Sequence, residues 1–205
     1  LAAQASGAVA AEIAPVTVAG RKAKFEVVMD EQPGTARPDK IPHLKPAFRE
    51  GGTVTAANSS SISDGAAALV LANASGLAAK GYTPRARVMG HASHAQAPGW
   101  FTTAPVPAAR ELLDRLGWSV ADVDLWEVNE AFAVVPMAFM HEMELSPSVV
   151  NVYGGACALG HPIGASGARI MVTLIHALQA KGLKRGLATL CIGGGEGTAM
   201  ALELV

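Results

Sequence analysis

The feature that most constrains the fold is the regular alternation of helix-like and strand-like patterns from residue 105 onwards. Helices are predicted over 105–116, 130–143 and 162–181, and the first and last are followed directly by the capping glycines Gly117 and Gly182. Strands are predicted over 123–128, 149–152, 186–192 and 198–205. This alternation predicts an α/β fold with a largely parallel sheet and helices on both of its faces.

The first hundred residues carry weaker patterns. They predict helices over 1–14 and 74–80, strands over 15–18, 53–58 and 85–94, a basic turn over 20–24, and an irregular connection or linker over 30–46. The apolar run 66–72 is compatible with a buried strand or a short helix. We favour a buried central strand because turn residues flank the run and its charge is low.

The composition of the 205 residues excludes several classes of protein. The net charge is −1 and basic residues form no stripe, which argues against a nucleic-acid partner. The two cysteines, Cys157 and Cys191, argue against a disulfide framework, and no apolar run approaches the length of a membrane span. Leu1 opens a helix-like segment without a preceding methionine, so we expect the chain to begin partway through a longer protein. A cytoplasmic location is the default expectation.

Three polar residues lie at or near the carboxyl ends of predicted strands. Asn129 follows 123–128, His161 comes after 149–152 and a glycine-rich stretch, and Cys191 lies near the end of 186–192. Functional groups in α/β sheets gather beyond these strand ends, so we treat the three residues as one candidate site.

Each of the three residues also has a purely structural explanation. Cys191 could be a small buried hydrophobe, but the glycines that begin at Gly193 could offer backbone N–H groups to an oxyanion, which favours a functional role. Asn129 could be only the N-cap of the next helix. His161 could be a histidine bonded to nearby backbone, but it should stand at the mouth of the helix that follows it, where the positive helix end favours a neutral imidazole and a functional role.

The other polar residues are less specific. Cys157 is interpreted as space-filling, and the spacing of the histidines and cysteines forms no metal site. The hydroxyl-rich turn 58–64 is equally compatible with a self-bonded turn and with a contact to the polar arm of a ligand.

Four blocks of sequence, in this order along the chain, resemble the thiolase family. They are GTVTAAN at 52–58 with DGAAA at 64–68, NEAFA at 129–133, GGACALGHP at 154–162 and CIGGGEG at 191–197. The set is much more specific than any single block, and the resemblance extends over the whole chain. It implies two βαβαβαββ halves packed face to face, with a mixed sheet and helices on both faces, of which this chain holds the C-terminal portion. Residues 1–50 would then end a loop domain, 51–72 would finish the N-terminal core half, and 73–205 would form the C-terminal core half.

The resemblance also implies a chemistry. Thiolases join two acyl-CoA molecules in a Claisen condensation or cleave a 3-ketoacyl-CoA with CoA, and the CoA thioester is a substrate with no further cofactor. Cys191 matches the family's acid/base cysteine, and His161 matches the histidine that activates the nucleophilic cysteine and bonds the thioester oxygen. Asn129 matches the asparagine that holds an oxyanion-hole water, and Gly193 matches the glycine whose N–H serves a second oxyanion hole. The acyl-accepting cysteine is expected in an N-terminal half outside this chain.

Further matches concern the binding of coenzyme A. Ser60, Phe48 and Ala56 match positions that line the pantetheine channel, and Phe132 matches one that packs near the acyl group. The sequence departs from the family after the acidic pair 30–31, where many members carry an arginine that grips the nucleotide. Gln-Pro-Gly follows here, and the nearest arginine is Arg37.

Two alternatives remain open. A condensing enzyme of the ketoacyl-synthase type would be expected to carry a second histidine where Cys191 stands, which disfavours it. A non-catalytic CoA-binding or assembly module of thiolase fold is the alternative from a different class, because the nucleophile is not in this chain. The resemblance implies a homodimer or homotetramer and a role in fatty acid metabolism, and it leaves acyl chain length and reaction direction open.

Overall fold

Six α-helices and six strands are found in the part of the chain that the computed structural model describes, residues 1–21 and 23–205. The helices are α1 (Ala2–Ala5), α2 (Ala74–Lys80), α3 (Pro105–Leu116), α4 (Val134–Glu142), α5 (Ala156–Leu159) and α6 (Ser166–Lys181). The strands are β1 (Val16–Ala19), β2 (Lys24–Val27), β3 (Ala86–Ala95), β4 (Leu125–Val128), β5 (Arg185–Ile192) and β6 (Glu196–Leu204).

A four-stranded mixed sheet in the order β3-β6-β5-β4 forms the centre of the structure. Strands β4 and β5 run parallel, whereas β6 runs antiparallel to both β5 and β3. The mixed sheet that the family resemblance implied is therefore confirmed. The largely parallel sheet expected from the alternation alone is wrong, because β5 and β6 are joined by a three-residue turn and so short a connection can only reverse the chain.

Helices cover both faces of this sheet. Helices α3 and α4 pack on the face that carries Trp126 and Leu187, whereas α6 packs on the face that carries Leu125 and Ala188. Successive residues of β4 thus point to opposite faces, as the pleat of a strand requires. This arrangement brings the carboxyl ends of β4 and β5 to the same edge of the sheet.

Locally encoded elements match their predictions closely. Helices α2 and α3 have their predicted bounds, and the left-handed glycines Gly117 and Gly182 (φ of 64° each) end α3 and α6. Strands β1, β3, β5 and β6 lie within two residues of prediction, and the connection 30–46 contains only 3₁₀ turns between irregular segments. Lys22, in the predicted basic turn, lies outside the described residues.

Other predictions are wrong. The predicted helix 1–14 shrinks to α1 and a 3₁₀ turn, because Gly7 between them has a φ of +76°. Residues 53–58 form no strand: Thr55 and Asn58 instead cap a 3₁₀ turn, with Asn58 accepting a 2.7 Å hydrogen bond from the Thr55 N–H. The run 66–72 has no regular structure and is exposed, with 94% of Val70 accessible, because no described strand lies beside it.

The helices have no membrane-spanning character. Within the described residues, none of them is both long and apolar enough to cross a bilayer.

The close approach of β6 to α3 yields a stability prediction. A Cβ atom on Gly197 would lie 2.4 Å from the backbone carbonyl of Ala104, so Gly197→Ala must displace main chain. We expect the substitution to lower the free energy of unfolding by about 1–3 kcal/mol, measured by urea denaturation of the complete protein. Gly99→Ala is the matched control, since a Cβ atom there meets nothing within 4 Å; equal losses in the two variants would contradict the prediction.

Candidate functional site

Asn129 and His161 meet in the interior at the end of β4. The Asn129 Nδ2 atom lies 3.2 Å from the His161 Nε2 atom, and Asn129 is 1% exposed. The backbone N–H of Asn129 donates to the carbonyl of Thr189 at 2.9 Å, which ties the end of β4 to β5 two residues before Cys191. Asn129 is not a helix N-cap as one alternative held, because α4 begins only at Val134.

His161 does not stand at the mouth of a helix, and that expectation is wrong by four residues. The chain first makes a turn in which the Ala165 N–H donates to the Pro162 carbonyl, and α6 then begins at Ser166. The His161 ring is held from this side as well, since its Nδ1 atom lies 2.5 Å from the Ser166 Oγ atom. Its backbone N–H donates to the Ser61 carbonyl at 2.9 Å. Both ring nitrogens and the main chain of His161 therefore have partners.

A polar lock fixes the loops that carry these two side chains. Asn151, with a positive φ of 47°, accepts from the Val128 N–H and donates to the Val128 carbonyl, each at 2.8 Å. Its Nδ2 atom also donates to Glu130, whose other carboxylate oxygen accepts from the Cys157 N–H at 3.0 Å. The predicted strand 149–152 is reduced to one isolated bridge, in which the Asn151 N–H donates to the Trp126 carbonyl at 2.9 Å. The Asn151 side chain supplies further hydrogen bonds at this edge of the sheet.

Cys191 lies near the carboxyl end of β5 and is 8% exposed. Gly193 lies in the tight turn that follows, where Gly195 has a φ of 106° and approaches the Gln96 carbonyl closely. Among the described residues, no hydrogen bond joins Cys191 to Asn129 or His161. The structure thus brings Asn129 and His161 into contact, and it places Cys191 and Gly193 on the neighbouring strand end.

The four residues matched to the coenzyme A channel have different surroundings. Phe48, which is 71% exposed, meets Phe132 edge to face with ring centroids 5.8 Å apart. The Ser60 hydroxyl donates to the Ala131 carbonyl at 3.0 Å, so it anchors the loop that holds Phe132. Ala56 is exposed at the start of a 3₁₀ turn. Phe48, Ser60 and Phe132 therefore form one neighbourhood beside the Asn129 loop.

Comparison with known proteins identifies the family. The family model described as "Thiolase, N-terminal domain" matches residues 1–75, and "Thiolase, C-terminal domain" matches residues 82–204. The chain belongs to the thiolase family. It is 51% identical over 199 residues to an acetyl-CoA acetyltransferase of Escherichia coli (strain K12), which covers 97% of this chain and 50% of the relative. The chain thus spans about half the length of the curated relatives it matches.

Solved structures show the same fold. The acetyl-CoA acetyltransferase of Bacillus anthracis superposes with a TM-score of 0.95 at 42% identity, and a thiolase from Ascaris suum in complex with coenzyme A does so with a TM-score of 0.88 at 39% identity. Each comparison covers 100% of this chain and 52% of the other. The thiolase fold implied by the sequence blocks is thereby confirmed.

Burial sets the protonation of the candidate site residues. Burial lowers the pKa of His161, and the nearby Arg169 guanidinium lowers it further, so the imidazole is neutral at neutral pH. Burial raises the pKa of Cys191, so its thiol keeps its proton. Burial together with the Glu130 carboxylate raises the pKa of Cys157 to about 12, so this second thiol keeps its proton, which agrees with a space-filling role.

A buried acidic group lies below the site. Glu127 on β4 is 2% exposed, and its Oε2 atom lies 3.9 Å from Nη1 of Arg169, too far for a hydrogen bond. Burial therefore outweighs the guanidinium and raises the pKa of Glu127 to about 8. Among the described residues, acidic, histidine and cysteine side chains form no group that could hold a metal ion.

Sequence reasoning missed several residues that build this site. Ser166, Asn151 and Glu130 position the catalytic candidates, and Gln32 donates to the Ser61 hydroxyl at 2.7 Å. Gln32 thus secures the turn next to His161 from the segment where the family arginine is absent. The turn 58–64 is held by its own hydroxyls and by contacts to 131–133, which agrees with the self-bonded alternative. Its contact to a ligand arm stays a prediction. A polar residue three residues before the glycine-rich block 154–162 was the available signal for Asn151.

The polar lock yields the first prediction at the site. Asn151→Ala removes three hydrogen bonds and leaves the Val128 N–H and carbonyl without their side-chain partner. We expect it to lower the free energy of unfolding by about 2–4 kcal/mol, measured by urea denaturation of the complete protein. Asn73→Ala, which removes an exposed N-cap from α2, should cost only about 1 kcal/mol; an Asn151 variant no weaker than this control would contradict the lock.

Glu127 yields a prediction about pH. Its pKa in the folded state, about 8, is above the ordinary value of 4.5, so the folded state holds a proton that the unfolded state releases. The stability it contributes is complete below pH 4.5 and is lost as pH rises towards 8. Glu127→Gln has no carboxyl group to titrate, so its free energy of unfolding should decline less with pH than that of wild type. The difference should be about 1.4 kcal/mol for each unit by which the two pKa values differ, measured by unfolding between pH 4.5 and 8. The exposed Glu26→Gln should leave the profile unchanged, and a wild-type slope in Glu127→Gln would refute the assignment.

Proposed function

We propose that this chain supplies the acid/base half of a thiolase that interconverts two acetyl-CoA molecules with acetoacetyl-CoA and CoA. The observation that carries the proposal is the partly buried contact between Asn129 and His161 beside the strand end that holds Cys191 and Gly193. The E. coli relative is named an acetyl-CoA acetyltransferase, which supports an acetyl group as substrate. The nucleophilic cysteine comes from residues outside this chain.

In the first half-reaction, a neutral His161 accepts the proton of the nucleophilic thiol through its Nε2 atom. The resulting thiolate attacks the carbonyl carbon of acetyl-CoA, and the bond from that carbon to the coenzyme A sulfur breaks. Cys191, which keeps its proton at rest because of burial, gives that proton to the departing sulfur. The acetyl group is then on the enzyme, His161 is an imidazolium and Cys191 is a thiolate.

In the second half-reaction, the Cys191 thiolate removes a proton from the α-carbon of a second acetyl-CoA. The imidazolium N–H of His161 donates to the thioester oxygen where negative charge develops, and Asn129 orients a water to the same oxygen. The α-carbon attacks the acetyl-enzyme carbonyl, whose oxyanion the Gly193 N–H stabilises. The bond to the enzyme sulfur then breaks, and His161 returns the proton to that sulfur. All residues regain their starting protonation, and the same steps in reverse describe thiolysis.

The neighbourhood of Phe48 and Phe132 supports the binding of an extended thioester arm. Phe48 presents an exposed aromatic face next to the loop 129–133, where an apolar pantetheine segment could pack. The Ascaris suum thiolase of the same fold is described in complex with coenzyme A. We propose that Ser60 and Ala56 border this arm, with Ser60 acting through the loop that it anchors.

Apolar surface outside the site supports a larger assembly. Ile62, in the turn that contacts His161, is 96% exposed, and Val70 and Leu71, which follow this turn in sequence, are 94% and 77% exposed. Large exposed areas of apolar surface mark sites of interaction with other protein. We propose that the half of the thiolase carrying the nucleophile covers them, within a cytoplasmic homodimer or homotetramer active in fatty acid metabolism.

The proposed chemistry is tested by separating its half-reactions. Cys191→Ala should lower acetoacetyl-CoA thiolysis by about 10²–10⁴-fold and abolish exchange of acetyl-CoA α-protons with deuterated water. It should still form the acetyl-enzyme from labelled acetyl-CoA, although more slowly, because His161 and the nucleophile remain while the departing sulfur loses its proton donor. The measurements are a thiolysis assay, proton exchange followed by NMR and label retention on the complete protein.

Cys157→Ala is the matched control, since this thiol is half-buried against Glu130 and keeps its proton. It should retain thiolysis within about threefold, as expected for a thiol outside the proton-transfer steps. Full activity and normal proton exchange in Cys191→Ala would reject the assigned base. Coenzyme A binding without turnover in the complete wild-type protein would favour the non-catalytic binding module.

A further inference from the structure

The Ser166 side chain is buried against the His161 ring and is the structural feature that the proposed mechanism does not use. Ser166 is the first residue of α6 and is 1% exposed. Its Oγ atom lies 2.5 Å from the His161 Nδ1 atom and 3.0 Å from the Pro162 carbonyl oxygen. A hydroxyl has one proton to donate, so these contacts restrict where the ring can carry its own proton.

Two proton arrangements satisfy the neutral ring. In the first, Nδ1–H donates to Ser166, the Ser166 hydroxyl donates to the Pro162 carbonyl, and Nε2 accepts from the Asn129 amide. In the second, the Ser166 hydroxyl donates to Nδ1. The Asn129 amide is flipped by a half turn, so that Nε2–H donates to its Oδ1 atom. Side-chain amide orientation is decided by such a network, so the surroundings of Asn129 distinguish the two.

The surroundings of Asn129 favour the first arrangement. The Oδ1 atom of Asn129 is buried without a partner among the described residues. Turning the amide would place its NH₂ group there and leave two buried donors unpaired, and unpaired donors are rarer in proteins than under-satisfied carbonyl oxygens. In the first arrangement the Asn129 amide donates one of its two protons to His161 Nε2, whereas the turned amide would donate neither. The Oδ1 atom is then open to the water that the mechanism places beside Asn129.

We propose that Ser166 is a positioning residue that holds the His161 proton on Nδ1 and so keeps Nε2 as the basic nitrogen facing Asn129. The inference rests on the proposed function, in which Nε2 accepts the proton of the nucleophilic thiol. A ring with its proton on Nε2 would have no lone pair there and could not begin the first half-reaction. Ser166 acts only through His161 and touches no reacting atom.

The test reads the tautomer directly. Histidine labelled at its ring nitrogens is incorporated into the complete protein, and NMR distinguishes a protonated ring nitrogen from an unprotonated one. Wild type should show a protonated Nδ1 and an unprotonated Nε2 on His161. Ser166→Ala removes the acceptor of Nδ1–H and should shift protonation to Nε2, while Ser166→Thr keeps the hydroxyl and should preserve the wild-type pattern. A protonated Nε2 in wild type would overturn the inference without any variant.

A kinetic measurement completes the test. Ser166→Ala should slow acetyl-enzyme formation by about 10–100-fold with KM for acetyl-CoA changed by less than about twofold, and Ser166→Thr should restore most of the rate. Thr173→Val is the matched control, since it removes another buried hydroxyl from α6 and should leave both tautomer and rate unchanged. A wild-type tautomer or a wild-type rate in Ser166→Ala would refute the positioning role.

The two proposals fail separately. If wild type carries the expected tautomer but forms no acetyl-enzyme, the thiolase function is rejected and the control of the ring by Ser166 is supported. If wild type is an active thiolase and Ser166→Ala keeps the proton on Nδ1, the function is supported and the inference about Ser166 is rejected.

Discussion

Three hydrogen bonds from one side chain hold the region on which the whole site depends. Asn151 binds both backbone polar groups of Val128 and reaches Glu130 with its remaining amide proton. A neighbouring strand would have satisfied the same edge of β4 with a ladder of backbone bonds. Because the Asn151 side chain makes these bonds instead, the backbone at Asn151 is free to adopt a positive φ and to enter the glycine-rich loop. Asn129 comes directly after Val128, so the same contacts that end the strand also aim the Asn129 amide at His161.

The site is assembled from segments that are far apart in sequence. The Ser59–Phe132 bridge and the Ser60 contact to Ala131 hold the loop after Asn129 from one side. The Ser61 carbonyl holds the main chain of His161 from the same serine turn. A single turn thus touches both halves of the Asn129–His161 pair. Disturbing it would move the two side chains together, which preserves their mutual distance better than two independent supports would.

The sequence predicted those elements whose determinants lie within the element. Helix α3 carries an apolar face and a glycine cap, so its bounds followed from periodicity and capping alone. The run 66–72 failed because apolar character indicates burial without indicating what covers it, and no described strand does so. The helix expected at Pro162 begins four residues later because the preceding turn uses the Pro162 carbonyl for its own hydrogen bonds. No local pattern distinguishes a proline at the first position of a helix from one that opens a turn.

The candidate site was partly accessible for a different reason. Residues at strand ends converge because of sheet topology, so Asn129, His161 and Cys191 could be grouped before any contact was known, and the family blocks assigned a role to each of them and to Gly193. The supporting residues were not accessible in this way. Ser166 and Glu130 have sufficient generic explanations near helix starts. Only the positions of their hydrogen-bond partners show that Ser166 holds the His161 imidazole and that Glu130 holds the glycine-rich loop at Cys157.

Burial connects the support of the site with its chemistry. The same exclusion of water that makes the Asn129–His161 contact strong also keeps His161 neutral and Cys191 protonated. Both groups therefore begin without charge, and in the proposed mechanism a charge pair arises between them only when a thioester is cleaved and the proton moves. We propose that this pair assists the next step, because the new thiolate would be a strong base in a site of low polarity and the new imidazolium a strong donor. A more solvated site would stabilise the thiolate and the imidazolium with water, which would make the thiolate a weaker base and the imidazolium a weaker donor.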